Sequence, residues 1–193
     1  MIGLQELVSS VYGAFRLATL KEDGMAYFTV TAEGFWHSFF AAVVVAPGYL
    51  IVNAVGAEPT VESANPIHDG IIYVLAYVIS WIAFPLAMVP VSNLLERDER
   101  FIPYIVANNW ATVPQTALLV AVAIVRVGLG FGEGLSALVG LVTYAAVLAY
   151  MWFVARTALN VPGFAAVGVV ALNIAISVVI ALVADGFTSV TIQ

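Results

Sequence analysis

Residues 104–125 read YIVANNWATVPQTALLVAVAIV, and whether this stretch crosses a membrane decides how many times the whole chain does. Its second half, from Ala117 to Val125, is wholly apolar, while the first half is interrupted by Asn108, Asn109, Thr112, Pro114, Gln115 and Thr116. Amide side chains cost far less at depth than Arg or Asp, so the interruption does not forbid insertion. At about 1.5 Å of rise per residue, roughly 20 helical residues match the roughly 30 Å hydrocarbon layer. The stretch reads as a span. A re-entrant reading would leave four crossings and move the C-terminus to the other side.

Four further runs have the same length and stronger apolar character: residues 35–55, 71–91, 135–155 and 164–184. None of the five contains Asp, Glu, Lys or Arg. Across the chain 63% of residues are hydrophobic and 9% are charged, against about 25% charged in a soluble domain. The predicted fold class is therefore all-α: a polytopic integral membrane protein with five transmembrane helices, occupying residues 35–193. Breakers lie between the runs, with Pro59 and Pro66 in 56–70, glycines at 128, 130, 132 and 134, and Pro162 before the last run.

Residues 1–34 form a separate segment. Glu6 comes early and Arg16 and Lys21 follow the apolar residues, which is not the order of a secretory signal. Leu4, Leu7, Val8, Val11, Phe15 and Ala18 recur at helical spacing. This predicts an N-terminal amphipathic helix lying in the membrane interface. A helix packed on the bundle or on a partner is the alternative.

Cytoplasmic loops are enriched in Lys and Arg. Of the six basic residues, Arg16, Lys21, Arg97, Arg100 and Arg156 fall on one side of a five-span layout and Arg126 on the other. The N-terminus is expected in the cytoplasm and the C-terminus outside, with Tyr27, Phe28, Phe35, Trp36, Phe39, Phe40, Trp152 and Phe153 in an inner aromatic belt. The Ala, Val and Gly richness and the scarcity of Lys suggest a bacterial inner membrane.

In lipid, helices associate through small residues and interhelical hydrogen bonds. Small pairs four apart, Ala42/Ala46, Ala83/Ala87, Ser136/Gly140 and Ala171/Ala175, mark candidate contact faces. Pro47, Pro85, Pro90 and Pro114 lie inside spans and predict kinks, either as plain curvature or as hinges near a binding site.

The candidate functional residues form a polar intramembrane cluster: Asn108, Asn109, Thr112 and Gln115 on the third span, Arg156 and Asn160 at the end of the fourth, and Asn173 in the fifth. Asn108, Thr112 and Gln115 are four and three apart and share one helix face. Either these groups bond across helices and fix the bundle, or they line a small polar cavity for a solute or lipid headgroup. No acid accompanies the amides at depth, which weakens a proton-coupled mechanism.

Other chemistry finds little support. His68 and Asp69 with Glu58 and Glu62 match no metal-ligand spacing, and His37 has Glu33 four residues before it, as an exposed helical pair would. Arg126 and Glu133 flank the glycine turn closely enough to pair across it. There is no nucleophile elbow and no Walker lysine, and the alternate glycines have the wrong phase for a phosphate loop. No cofactor is expected. The chain has no Cys, which removes disulfides and thiolate sites, and too few basic residues for nucleic acid.

Leu95 to Arg100 as a polar loop, then Tyr104, Ala107 and Pro114, and a Gly/Ala/Tyr-rich fourth span ending Tyr150, Met151, Trp152, Phe153, give the layout from about Ser38 to Asp185 a resemblance to the Yip-domain family. The resemblance implies a cytoplasmic N-terminal segment, five spans, and a non-enzymatic membrane organiser or bacterial inner-membrane protein with no catalytic residues. The expectation is a non-catalytic scaffold, accessory subunit or membrane-organising protein. Its partners would be the lipid bilayer and other membrane proteins or copies of itself. The rival is a small oligomeric transporter or channel using the polar residues of span three.

Overall fold

The computed structural model describes residues 2–56 and 65–189, which are helical with no strand among them. Two short helices precede the bundle, α1 (Leu4–Ala18) and α2 (Ala32–Ser38). Five long ones follow: α3 (Phe40–Gly56), α4 (Pro66–Leu94), α5 (Phe101–Gly128), α6 (Glu133–Leu159) and α7 (Gly163–Ser189). Among the described residues five helical stretches, α2 with α3 counting as one, are long and apolar enough to cross a membrane. The interrupted third run is one continuous helix through Pro114.

Local chemistry accounts for most boundaries. Thr31 caps α2 by accepting from Gly34 N at 3.0 Å, and Asn65 caps α4 by accepting from His68 N at 3.2 Å with Pro66 in the first turn. Such caps satisfy amides that the helix cannot. α6 ends where Asn160 turns left-handed at φ 52°, and Pro162 follows. The first span is divided at Phe39, where α2 gives way to α3.

Around the bundle α3 packs on α5, α5 on α6, α6 on α7 and α7 on α4. The helices draw together at the end that carries α1. There Tyr104, Ile105, Val106, Trp110, Met88 and Val154 are almost fully buried, and the Phe84 and Tyr104 rings meet edge to face with centroids 6.1 Å apart. Toward the opposite end α3 and α4 diverge from this core. Glu58, Pro59 and Glu62, named above in the α3–α4 connection, lie outside the described residues.

Two of the four small-residue pairs do not mark packing faces, while Ala42, Ala46, Ala83 and Ala87 are half-buried. Ala171 and Ala175 are exposed, and a Cβ on Gly140 would meet nothing within 4 Å. The close approach is instead at Gly48, whose added Cβ would lie 2.5 Å from the Thr116 methyl on α5. Alanine is so frequent that pairs four apart arise without an interface. A lone glycine facing a β-branched residue carries more information.

α1 lies across the end of the bundle. Ser10, Gly13, Ala14 and Leu17 are buried, and Tyr150 of α6 donates its hydroxyl to the Ala14 carbonyl at 2.8 Å. The chain then folds back through a 3-10 segment, Glu22–Tyr27, that packs on α1 so tightly that a Cβ on Gly24 would sit 2.6 Å from the Gly13 carbonyl oxygen. Arg16 grips Asp23 with two guanidinium nitrogens and lies over the Tyr12 and Tyr27 rings. That guanidinium holds the Asp23 carboxyl below the usual carboxylate range.

A candidate polar cavity between four helices

The divergence of the helices leaves a cavity of about 490 Å³ bounded by α3, α4, α5 and α7. It runs from the middle of the bundle to the end remote from α1, as the positions of its lining residues along each helix require. At the deep end lie Phe84, Pro85, Asn108 and Asn109; at the mouth lie Asn53, Tyr73 and Asp185.

α5 supplies the polar wall. Its face carries Asn108, Asn109, Thr112, Gln115 and Thr116, all of which line the cavity. The three-and-four spacing read from sequence places them so, because a helix returns to the same face at those intervals. Asn173 joins from α7, and Ser177, Ala181 and Asp185 continue the same side toward the mouth. The seven candidate residues therefore divide. Asn108, Asn109, Thr112, Gln115 and Asn173 share one site, whereas Arg156 and Asn160 do not reach it.

Arg156 is exposed near the α1 end with its guanidinium 5.4 Å from the Trp152 ring centre, an anchoring arrangement. Asn160 serves the turn, its carbonyl accepting from Arg97 Nε at 3.3 Å. Both approach the membrane from the α1 side, while the cavity opens on the other.

The amides themselves differ. Asn109 is 2% exposed and donates through Nδ2 to Ser38 Oγ at 2.9 Å, and that hydroxyl donates in turn to the Phe35 carbonyl at 2.7 Å. Here the amide does tie helices together. Thr112 spends its hydroxyl on the Asn109 carbonyl one turn back, at 2.6 Å. By contrast the side chains of Asn108, Gln115 and Asn173 make no hydrogen bond with other described residues, and all three are only partly buried. A polar group at such depth needs a partner. The cavity is the place from which one can come.

The opposite wall is aromatic and was not singled out by sequence. Tyr49 of α3 and Tyr77 of α4 have ring centres 5.0 Å apart, and Tyr77 and Trp81 are 6.2 Å apart. The Tyr77 hydroxyl donates to the Ala42 carbonyl at 2.6 Å, joining α4 to α3 above the deep end. The four-residue intervals Tyr73, Tyr77, Trp81 and Tyr49, Asn53 were a usable signal; in spans rich in aromatics it resembled ordinary lipid-facing decoration.

Elsewhere, His37 Nδ1 lies 2.8 Å from Glu6 of α1, closer than the 3.7 Å from its Nε2 to Glu33, so the histidine joins two helices and is more than an exposed intrahelical partner. His68 Nδ1 lies 3.2 Å from Asp69, and no group of three potential metal ligands occurs among the described residues. Arg126 and Glu133 form no ion pair across the glycine turn, which separates the ends of α5 and α6. Comparison with models of protein families, with curated proteins and with solved structures finds no match to this chain.

Proposed function

We propose that this multi-pass membrane protein binds a small polar solute in the cavity between α3, α4, α5 and α7, as a small transporter or channel does. The observation that carries this reading is the set of amides on Asn108, Gln115 and Asn173, which line a cavity of about 490 Å³ without hydrogen-bond partners among the described residues. Ligand sites have this size and this mixture of apolar wall with few convergent polar groups. At the deep end Phe84 and Asn109 line the cavity, and Asn109 is held there by its hydrogen bond to Ser38. Pro85 lies in its wall, and a proline there loosens the helix where movement would be needed to open the other side.

With basic residues concentrated near α1, that end belongs in the cytoplasm and the cavity mouth outside. A reporter fused after Gln193 tests the orientation; activity characteristic of the cytoplasm overturns it. The functional test is relaxation of protein-loaded liposomes after osmotic shock with a panel of small polar solutes. Faster relaxation for at least one solute, lost in the Gln115→Leu/Asn173→Leu double variant, is expected. Relaxation equal to that of empty liposomes for every solute overturns transport.

A second reading, an accessory or membrane-organising protein, draws on α1. Leu4 and Val8 are 76% and 59% exposed beside the docked face, and Tyr12 and Phe15 extend the apolar strip. This strip suits burial in the headgroup layer or against a neighbouring membrane protein. Purification in mild detergent as a monomer with nothing attached would count against such a partner.

A further inference from the structure

We propose that the cavity receives an alkylammonium group, either of a free organic amine or of a lipid headgroup. The inference rests on the solute-binding reading above and narrows it. Three observations converge. First, Tyr49, Tyr77 and Trp81 form a run of adjacent rings, with successive centres 5.0 and 6.2 Å apart, and all three line the cavity, so a cation seated there meets an aromatic wall. The Tyr77 hydroxyl is already committed to the Ala42 carbonyl, so the ring is what this residue offers.

Second, among the described residues the lining contains the carboxylate of Asp185 at the mouth and no Lys, Arg or His. An anion entering would meet no positive charge. A neutral polyol would use the amides and gain nothing from the electron-rich aromatic wall. Third, the mouth end of the described bundle carries Asp69, Glu133 and Asp185 against Arg126, a balance that concentrates cations at the entrance. The carbonyl oxygens of Asn108, Gln115 and Asn173 then accept from N–H groups, or from the polarised methyls of a quaternary ammonium.

The test is calorimetric binding to the full chain in discs of phosphatidylglycerol, which lacks an ammonium headgroup. The probes are choline and its neutral isostere 3,3-dimethyl-1-butanol. Choline is expected to bind at least about ten-fold more tightly than the isostere. Tyr77→Phe should preserve that affinity, whereas Tyr77→Leu should weaken it about five- to thirty-fold, the usual range for losing a desolvated cation–ring contact. If Tyr77→Leu does not fold to a monodisperse protein, Trp81→Leu replaces it. Equal binding of choline and the isostere, or choline binding indifferent to the ring, overturns the inference and leaves solute binding standing. No binding of choline while a neutral solute permeates the liposomes does the same. No binding by either probe, with no solute permeating, overturns both. Adding phosphatidylethanolamine to the discs separates the sources: competition with choline assigns the site to a lipid headgroup, and its absence to a free amine.

Discussion

Asn109 of α5 donates its side-chain amide to Ser38 of α2 at 2.9 Å, across 71 positions of sequence, and so fastens the broken start of the first span to the centre of the bundle. Both residues are almost fully buried. Breaking this contact therefore leaves an amide with no substitute. Asn109→Ala and Ser38→Ala should each lower thermal stability in detergent, with a coupling energy in the double-mutant cycle of about 0.6 kcal/mol and below about 2 kcal/mol. Strict additivity of the two would remove this fastening role.

Gln115 and Asn173 should behave in the opposite way. Having no hydrogen-bond partner among the described residues, their side chains can be replaced by Leu with a change in stability within about 0.5 kcal/mol, while solute permeation is lost. Thermal melts alongside the flux measurement check this. Destabilisation as large as that of Asn109→Ala would show that these amides are structural after all.

Gly34 begins α2 against the Thr29 carbonyl oxygen, and an added Cβ would run into that backbone atom. Gly34→Ala is expected to destabilise by about 1–3 kcal/mol, the usual cost of overpacking a site that cannot yield. The damage should appear as proteolysis between α1 and α2, with the α4–α7 region keeping its slow hydrogen exchange.

The Arg16–Asp23 clasp gives the N-terminal hairpin an acid limit. Arg16 holds the folded-state Asp23 carboxyl below its unfolded value of about 4, so the stabilisation is complete above that value and is lost as the pH falls through the lower, folded one. Protection of the α1 amides, taken relative to the intrinsic exchange rate at each pH, should therefore stay high at neutral pH and fall below about pH 4. Asp23→Asn should remove this acid-dependent component. An unchanged acid profile in the variant would deny the clasp its role.

Ser10 is buried between α1 and the bundle with its hydroxyl unbonded. Ser10→Ala should stabilise the docked helix by about 1 kcal/mol, since an orphaned hydroxyl costs more than the methyl that replaces it. A lower melting temperature would reveal an unrecognised partner for that hydroxyl.

The five long helices were legible because a membrane imposes one length and one composition on anything that crosses it, and α5 obeyed the length despite its amides. The shared face of Asn108, Thr112 and Gln115 was legible for an equally simple reason, helical repeat. What could not be read was which face of each neighbour lay opposite. Tyr49, Tyr77 and Trp81 differ in no local way from aromatics that touch lipid, and only the divergence of α3 and α4 puts them across from the amides. Arg156 and Asn160 were grouped with the cluster by polarity and depth, but α6 contributes nothing to the lining, and its last turn lies at the α1 end of the bundle, away from the gap. In α1 the sequence displayed the apolar strip, while the docking face is made of Ser10, Gly13 and Ala14, residues whose virtue is smallness.

The uneven distribution of the core has a mechanical consequence. With Trp110, Tyr104 and Met88 concentrated near α1 and a void toward the far end, the molecule is built like a cup on a stiff foot. Thermal fluctuation should widen the rim long before it disturbs the base. The same inequality should govern tolerance of sequence change, so that residues around the rim can vary to suit different guests while the foot keeps the vessel upright.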